Sequence, residues 1–282
     1  MSVADLHRPP KRPFAWLWAL IPTQLLVAAL WWRFGWQVGL SSLLVSHLTF
    51  LWGVLWPQSS LYSPVLTRLP LPAHDRRVWL TIDDGPSQQT LQILDLLDAY
   101  HVKATFFLVA QRAQTRPQDV REIVRRGHSI GNHSTSHPQA WFWALGPRRM
   151  HAEIAVAQSI LHDLGGVAPR WFRAVVGMAN PFVSAPLKAL GLARVGWSAR
   201  GYDGVGATSE RVVARIERAL MPGAIVLLHE GGAATQSVET IGLLLQRMRA
   251  TGWSTLLPEQ LEQHHDARAG APCLSPDPRV NG

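Results

Sequence analysis

Two short segments of this chain carry side chains that can bind a metal ion and move protons. In the first, an apolar run leads directly into the adjacent carboxylates Asp83 and Asp84 and then into a Gly-Pro turn. In the second, His133 and His137 lie four residues apart. Two imidazoles and one carboxylate form a ligand set that hydrolytic metal sites use, and a free carboxylate beside them can act as a base.

Each segment also has a purely structural interpretation. Asp-Gly-Pro is common in turns, and Asp84 is a residue type that caps a following helix. A lone histidine is usually structural, and this chain has 12. The Gly, Asn and Pro residues around the histidine pair favour a loop, in which the two imidazoles can still converge on one ion. From these residues alone, both interpretations of the Asp-Asp segment stay open.

Both segments follow predicted strands, which places them at one edge of a predicted sheet. Between residues 77 and 261, short β-rich runs alternate with longer helical patterns. This alternation predicts a parallel α/β sheet or barrel, in which chemistry lies on the loops after the carboxyl ends of the strands. The predicted strands are residues 78–82, 104–109, 129–132, 171–175, 194–198, 224–229 and 253–257.

The apolar residues of the chain are concentrated before this region. Of the 282 residues, 47% are hydrophobic and only 16% are charged, which excludes a disordered chain and a coiled coil. Residues 14–32 and 36–56 are each long and apolar enough to cross a bilayer, and tryptophans cluster toward their ends. We predict two transmembrane helices joined by a tight turn at Arg33-Phe34-Gly35, and no cleaved signal peptide.

Basic residues on either side of this predicted hairpin indicate its orientation. Three precede it and three follow it, whereas the turn contains only Arg33; the six are Arg8, Lys11, Arg12, Arg68, Arg76 and Arg77. This asymmetry predicts two spans with the remainder of the chain facing the cytoplasm. The alternative is one span with the second segment buried or re-entrant, which would place the remainder outside.

The predicted organisation has five parts. They are a basic N-terminus (1–13), the two spans (14–56), a Pro-punctuated linker (57–76), a catalytic domain (77–265) and a flexible tail (266–282). The one cysteine, Cys273, lies in the tail, which excludes a disulfide framework and a cysteine-based zinc site.

The charge balance indicates an anionic neighbour. Lys and Arg number 27 against 19 Asp and Glu, and such an excess favours nucleic acid, lipid headgroups or a phosphorylated substrate. The arginines are scattered and no nucleic-acid-binding module is recognisable, so we predict no nucleic-acid partner.

Together, these motifs resemble those of the polysaccharide deacetylases of the NodB-homology type, carbohydrate esterases with a deformed (β/α) barrel. The resemblance covers roughly residues 77–261. Thr81-Ile82-Asp83-Asp84-Gly85-Pro86 resembles the family's Thr-Phe-Asp-Asp-Gly-Pro motif, and His133-Ser134-Thr135-Ser136-His137 resembles its His-Ser/Thr-x-x-His motif. Leu227-Leu228-His229 resembles the Leu-Leu-His strand end of its fifth motif.

Two further motifs are only partly kept. Arg173-Ala174-Val175-Val176-Gly177 retains the arginine and glycine of Arg-Pro-Pro-Tyr-Gly but neither proline. The fourth motif ends in Asp-Trp in the family, whereas this chain supplies Asp203 without the tryptophan. These departures leave a sugar-binding pseudoenzyme as an alternative.

The resemblance implies that Asp84, His133 and His137 bind one divalent metal ion, with Zn²⁺ preferred and Co²⁺, Ni²⁺ or Mn²⁺ as alternatives. It implies that Asp83 is the general base that acts on a metal-held water. The fold that it implies is a deformed (β/α) barrel preceded by the two-helix transmembrane hairpin.

The resemblance also implies roles for residues on later strands. His229 would be the general acid that protonates the departing amine, and Arg173 would hold Asp83 ionised and oriented. Asp203 would orient His229 in a similar way, with a surface aspartate as the alternative. Leu227 and Trp197 either line an acyl pocket or belong to the core.

The predicted reaction is metal-assisted hydrolysis of an amide, which removes the acetyl group from an N-acetylated amino sugar. With the resemblance, the predicted location is a bacterial inner membrane, with the catalytic domain facing the cytoplasm. Such an enzyme would meet the sugar on polyprenyl phosphate, as in lipopolysaccharide or lipid A modification, where some family members are thought to act. Alternatives are a periplasmic peptidoglycan or chitin-type deacetylase and a non-haem iron oxygenase, although no co-substrate site is evident. Trp141-Phe142-Trp143 either dips toward lipid or belongs to a helix core.

Overall fold

A curled parallel sheet forms the centre of the structure, a computed structural model that describes residues 6–231 and 236–261. Within these residues its strands are β1 (Arg77–Gly85), β2 (Thr105–Leu108), β3 (Ser129–Asn132), β4 (Trp171–Phe172), β5 (Ala193–Arg194), β6 (Ala199–Arg200), β7 (Ile225–His229) and β8 (Ser254–Thr255). They are hydrogen-bonded in the order β5-β4-β3-β2-β1-β7-β6, with β8 beside β1, and all pairs are parallel. The sheet curls into a half-barrel, which confirms the predicted fold class.

Two helices precede this sheet, and the others alternate with its strands. They are α1 (Leu17–Phe34), α2 (Trp36–Leu55), α3 (Thr90–Ala99), α4 (Ala110–Thr115), α5 (Pro117–Arg125), α6 (Pro147–Gly165), α7 (Ser184–Ala189), α8 (Ser209–Ala219) and α9 (Ser237–Ala250). Parallel strands need such crossover connections, and the helices cover the apolar face of the sheet.

Strand β1 shows how the pleat separates the core from the site. Val78, Leu80 and Ile82 are fully buried and pack with residues of α3, α8 and α9. Successive side chains point to opposite faces of a strand, so Thr81 and Asp83 lie on the other face, inside the curl of the sheet. The strand therefore delivers Asp83 to the interior of the half-barrel at its carboxyl end.

The two N-terminal helices pack against each other as a hairpin. The turn that was predicted at Arg33-Phe34-Gly35 is shorter, because α1 continues through Phe34 and Gly35 alone separates the helices. Gly35 has a φ of 87°, a conformation that glycine adopts without a steric penalty. Across the hairpin, Gln24 Nε2 donates a hydrogen bond to Ser46 Oγ at 2.8 Å.

Both hairpin helices are long and apolar enough to cross a membrane. Their outward surfaces are exposed in the isolated chain, with Trp18 80% and Trp32 92% accessible. An exposed apolar surface of this size is typical of a membrane or protein contact.

The segment between α2 and β1 was predicted as a linker, and it lies against the barrel. Leu66 forms a parallel bridge with Val195, and Arg68 forms an antiparallel bridge with Ala224. The backbone N–H of Ala179 donates to the carbonyl oxygen of Val54 at the end of α2, at 3.2 Å. The hairpin is therefore docked on the half-barrel. Residues 1–5 and 262–282, which include the predicted tail and Cys273, lie outside the described residues.

His128, just before β3, is expected to make the free energy of unfolding sensitive to acid. Burial lowers its pKa from 6.5 to about 4, and the charge of Lys103 adds to this effect. Its Nδ1 accepts a hydrogen bond from the backbone N–H of Ala104. Between the two pKa values the unfolded chain binds more protons than the folded chain, so the free energy of unfolding falls as the pH falls.

We expect this histidine to remove about 2 kcal/mol of stability between roughly pH 7 and pH 5. The measurement is urea unfolding of the full chain at both pH values, compared with the His128→Gln variant, whose side-chain oxygen keeps the acceptor. The variant should lose less stability on acidification by that amount. Equal losses in the two proteins would show that His128 does not titrate in this way.

Candidate active site

The predicted site residues meet at the carboxyl edge of the sheet. Asp83 lies directly beside His229 in the parallel register of β1 and β7. His133 follows β3 and Arg173 follows β4. Asp83, His133 and His229 line one cleft of about 270 Å³, together with Asp84 and His137. The topology therefore brings motifs that are up to 146 residues apart in the sequence into one cavity.

Asp84 reaches this cleft because β1 is irregular at its end. The register between β1 and β2 shifts between Asp83 and Gly85, and Asp84 has a φ of 70°. In a regular strand, adjacent side chains point to opposite faces, and a bulge re-aims one of them. Ser134 and His137 are also left-handed, with φ values of 70° and 53°. Such strained residues are concentrated at functional sites.

Asp84, His133 and His137 form a cluster that fits one metal ion. One ligand atom from each lies within 4.8 Å of the others. Asp84 Oδ1 is 3.0 Å from His137 Nε2 and 3.4 Å from His133 Nε2. This buried oxygen has no hydrogen-bond partner among the residues described. Three ligands would leave coordination positions open for water and substrate.

The tautomer of His133 and the ionisation of Asp84 both favour binding of a cation. His133 Nδ1 lies 2.8 Å from the carbonyl oxygen of Arg173, which can only accept, so Nδ1 carries a proton and Nε2 faces the cluster. Burial favours the neutral ring, but Asp83 and Asp84 raise the pKa of His133 above its ordinary value, and a metal ion at Nε2 would take the place of the second proton. Burial raises the pKa of Asp84, but the imidazoles of His133 and His137 outweigh burial and hold that pKa well below its usual range. The carboxylate is therefore ionised, as a metal ligand must be.

Asp83 is fixed through one oxygen and open at the other. The fully buried guanidinium of Arg173 donates from Nη1 to Asp83 Oδ1 at 2.6 Å and to Thr81 Oγ1 at 2.8 Å. Its Nη2 donates to the carbonyl oxygen of Gly196 at 2.8 Å. Asp83 Oδ2 lies 3.8 Å from His133 Nε2, which exceeds hydrogen-bond distance. This second oxygen faces the cluster without binding its histidine.

His229 is held by Asp203 on the opposite side of the cleft. Asp203 Oδ1 is 2.8 Å from His229 Nδ1, and its Oδ2 accepts the backbone N–H of His229 at 2.7 Å. Burial opposes the charged imidazole, but Asp203, with smaller contributions from Asp83 and Asp84, raises the pKa of His229 above its ordinary value. Only 7% of the Asp203 side chain is exposed, so the structure does not place it at the surface.

The Asp203→Asn variant should weaken this arrangement without removing the imidazole. Because the side-chain amide of the variant would carry no charge, the pKa of His229 should fall and the alkaline limb of the pH–rate profile should move to lower pH. We expect kcat to fall roughly 10- to 100-fold, less than for loss of a general acid. The measurement is the pH dependence of kcat for amine release; an unshifted alkaline limb would contradict the pairing.

Sequence reasoning missed Glu230, which directly follows His229 and is fully buried. Burial raises its pKa to about 7, although the hydroxyls of Thr90 and Ser87, which donate to its Oε2 at 2.6 and 2.9 Å, oppose this. Its Oε1 lies so close to Gly85 that a Cβ at that position would collide with it. Glu230 therefore connects the end of β7 to the segment between β1 and the start of α3, which directly follows the Asp83-Asp84 end of β1. Its only sequence signal is an acidic residue directly after a strand-end histidine.

Two arginines in the cleft were also missed. Arg112, in α4, donates to the carbonyl oxygen of Asp84, and Arg200 lies over the rings of Trp197 and Tyr202. Both arginines line the cleft. Their sequence signal is weak, because isolated arginines are common on helices and strand ends.

The apolar residues singled out in the sequence divide between core and surface. Leu227 and Trp197 are both buried and both line the cleft, so they serve the core and bound the cavity as well. In the Trp141-Phe142-Trp143 cluster, Phe142 is fully buried whereas Trp141 is 67% exposed. Phe142 therefore packs in the core, and the tryptophan on each side of it is exposed.

Comparisons with known proteins agree with this geometry. Residues 71–195 match the sequence model of the family described as polysaccharide deacetylase. The chain is 36% identical over 158 residues to a chitooligosaccharide deacetylase of Bradyrhizobium sp., covering 55% of this chain and 71% of that protein. It is 31% identical over 186 residues to a peptidoglycan-N-acetylglucosamine deacetylase of Bacillus cereus, covering 64% and 66%.

Two solved structures share the fold. The Bc1960 peptidoglycan N-acetylglucosamine deacetylase, in complex with 4-naphthalen-1-yl-N-oxidanyl-benzamide, superposes with a TM-score of 0.62 at 30% identity, covering 67% of this chain and 89% of that one. The family 4 carbohydrate esterase from Streptomyces lividans, in complex with acetate, gives a TM-score of 0.60 at 29% identity, covering 67% and 96%.

Proposed function

Because this chain belongs to the polysaccharide deacetylase family of metal-dependent carbohydrate deacetylases, we propose that it removes the acetyl group from an N-acetylated amino sugar. One observation carries the proposal: the ligand cluster of Asp84, His133 and His137 lies between a carboxylate held by arginine and an imidazole held by aspartate. This is the set of groups that amide hydrolysis needs in one cleft.

A divalent ion held by these three ligands would polarise the amide carbonyl and make its bound water more acidic. We propose Zn²⁺ as that ion, because it accepts mixed imidazole and carboxylate ligands and leaves positions open. Co²⁺, Ni²⁺ and Mn²⁺ are compatible with the same donors.

The chain's own residues move the protons. Asp83 takes the proton of the attacking water on Oδ2, while Arg173 keeps Oδ1 fixed and so orients the carboxylate. His229 gives a proton to the amide nitrogen, so that the C–N bond breaks and the amine leaves neutral. Asp203 holds the imidazole in place and favours its protonated form. The products are acetate and a free amino sugar.

We further propose that the amino sugar is carried on polyprenyl phosphate and presented at the membrane surface. The end of α2 lies at the rim of the cleft: Pro57 packs against Gly177, and Gln58 Nε2 donates to the carbonyl oxygen of Trp197 at 3.2 Å. Gly177 and Trp197 both line the cleft. A substrate anchored in the bilayer beside the hairpin would therefore approach the cleft directly.

Two arginines of the cleft support the same substrate. Arg112 and Arg200 line it, and guanidinium groups suit phosphate oxygens. The neutral N-acetyl sugars of chitin offer these two cations no charged partner.

A second candidate substrate is N-acetylglucosamine in chitooligosaccharides or peptidoglycan. It is favoured by the relatives, which are named for those activities. The two candidates share the chemistry and differ in whether a lipid carrier is required.

The deciding experiment measures amine release by the metal-loaded full chain from two substrates. One is an N-acetylated amino sugar linked to polyprenyl phosphate, and the other is a series of N-acetylglucosamine oligomers. We expect kcat/KM to be at least about 10-fold higher for the lipid-linked sugar, since each 1.4 kcal/mol of added binding gives tenfold. The opposite preference would favour the second candidate, and no amine from either substrate would contradict the deacetylase assignment.

We propose an inner-membrane location with both ends of the hairpin in the cytoplasm. The test is a pair of reporter fusions, one after Gly282 and one after Gly35. A fluorescent-protein reporter should be active after Gly282 and an alkaline phosphatase reporter after Gly35. The reverse pattern would place the catalytic cleft in the periplasm and would remove the argument for a cytoplasmic lipid-linked substrate.

A further inference from the structure

A second cavity lies where the N-terminal segment meets the segment after α2. Its volume is about 850 Å³, and its lining includes Arg8, Lys11 and Arg12 together with the hydroxyl residues Ser60 and Ser184. No carboxylate side chain is among the described residues that line it. It shares no described lining residue with the catalytic cleft. The cavity is therefore cationic and separate from the substrate site.

An apolar groove along the hairpin adjoins this cavity. The groove has a volume of about 640 Å³ and extends from Ala19 and Phe50, near the barrel, to Leu30 and Gln37, near the turn. Leu61 lines both the groove and the cavity. The combined surface is cationic at the barrel end and apolar along the helices.

The basic residues are held in place by the fold. Leu6, just before them, is 1% exposed and belongs to the core cluster that contains Trp79 and Trp171. On the opposite wall, Tyr62 donates from its hydroxyl to the carbonyl oxygen of Phe50 at 3.0 Å. The cavity is thus bounded by segments anchored in the barrel and in α2.

We propose that this surface binds an anionic phospholipid of the bilayer, with its phosphate in the cavity and one acyl chain in the groove. Lys11 and Arg12 are exposed at the end of a helix pair long enough to span the membrane, where basic pockets recognise lipid phosphates. A guanidinium binds phosphate oxygens through paired hydrogen bonds.

The occupant follows from the shape and charge of the surface. A free phosphate would use the cavity and leave the groove without a role, whereas a zwitterionic lipid would bring a positive headgroup to a cationic wall. The separation from the catalytic cleft distinguishes this lipid from the substrate. The bound lipid would hold the N-terminal segment and the hairpin end at the headgroup layer, and so fix the position of the cleft rim relative to the membrane.

The test measures the thermal unfolding midpoint of the purified full chain in detergent micelles as a function of added lipid. Dioleoyl phosphatidic acid should raise the midpoint in a saturable way, and dioleoyl phosphatidylcholine should not. The Lys11→Gln/Arg12→Gln variant should need roughly 10- to 30-fold more phosphatidic acid for half of the effect. The control variant Arg247→Gln/Arg249→Gln, which removes two exposed cations of α9, should behave like the native chain.

Several outcomes would overturn the proposal. Equal weakening in the two variants would mean general charge attraction. If inorganic phosphate alone gave the full stabilisation, the cavity would be a simple anion site. If polyprenyl phosphate saturated the effect at a lower concentration than phosphatidic acid, the surface would be a binding site for the carrier lipid. A second experiment uses the Val45→Trp variant, whose larger side chain fills the groove. This variant should weaken binding of dioleoyl phosphatidic acid but not of dihexanoyl phosphatidic acid, whose acyl chains are short. Equal effects on both lipids would show that no acyl chain binds in the groove.

The proposed lipid site and the proposed deacetylase function can be refuted independently of each other. Lipid stabilisation does not require the catalytic groups of the cleft, so the Asp83→Asn variant, which lacks the proposed general base, should respond to phosphatidic acid as the native chain does. A response that disappears with Asp83→Asn would place the lipid at the catalytic cleft and contradict a separate site.

Discussion

Replacement of Asp83 by asparagine is expected to lower kcat for amine release roughly 10²- to 10⁴-fold, the usual contribution of a general base. The substitution keeps the shape of the side chain and an oxygen for Arg173, which donates to Oδ1 at 2.6 Å. It removes the basic oxygen that faces the ligand cluster. KM should change little, because the proton is transferred during the reaction and not in binding. The measurement is steady-state kinetics on the preferred substrate with metal content determined in parallel.

The control for this variant is Asp163→Asn, which makes the same chemical change at an exposed position in α6. It should retain native kinetics. The Asp83→Asn protein should still bind one ion per chain, since Asp83 is not a proposed ligand. Full activity in that protein would contradict the role of Asp83, and loss of the ion would make Asp83 a ligand instead.

Replacement of His137 by alanine is expected to abolish stoichiometric metal binding and to bring amine release below detection. His137 Nε2 is 3.0 Å from Asp84 Oδ1, and without it only two ligands remain for the ion. Two ligands hold a divalent ion too weakly to survive dialysis at neutral pH. The measurements are elemental analysis of the dialysed protein and the amine-release assay with and without added Zn²⁺.

His151→Ala is the matched control, because His151 is exposed on α6. That variant should retain one ion per chain and native activity. If His137→Ala retained one tightly bound ion and its activity, the ion would be held elsewhere and the proposed ligand set would be wrong.

The order and chemistry of the motifs could be predicted because they depend on local sequence. An apolar strand followed by adjacent carboxylates indicates a strand end, and the alternation of strands and helices indicates which edge of the sheet collects the polar loops. The position of Asp84 could not be predicted, because it requires a left-handed residue and a register shift in β1. That bulge depends on pairing with β2, which is a tertiary interaction.

Contacts made by irregular segments could not be predicted from the sequence either. The motif around Asp203 departs from the family pattern, yet Asp203 begins a short 3₁₀ helix after β6 (Asp203–Val205) and its Oδ1 lies 2.8 Å from His229 Nδ1. Residues 57–76 have the prolines of a linker, but isolated bridges at Leu66 and Arg68 attach them to the barrel. The strand predicted at 194–198 is largely wrong, because only Arg194 of that range lies in a named strand. β5 ends at Arg194 and pairs with β4, whereas β6 begins after the range, at Ala199, and pairs with β7.

X-ray absorption spectroscopy of the full chain loaded with Co²⁺, combined with metal analysis, tests the proposed metal site itself. We expect one ion per chain, bound by two imidazole nitrogens and one carboxylate oxygen with the remaining ligands from water, and loss of both imidazole contributions in the His133→Ala/His137→Ala variant. A spectrum without imidazole ligands, or one that is unchanged in this double variant, would contradict a metal site formed by Asp84, His133 and His137.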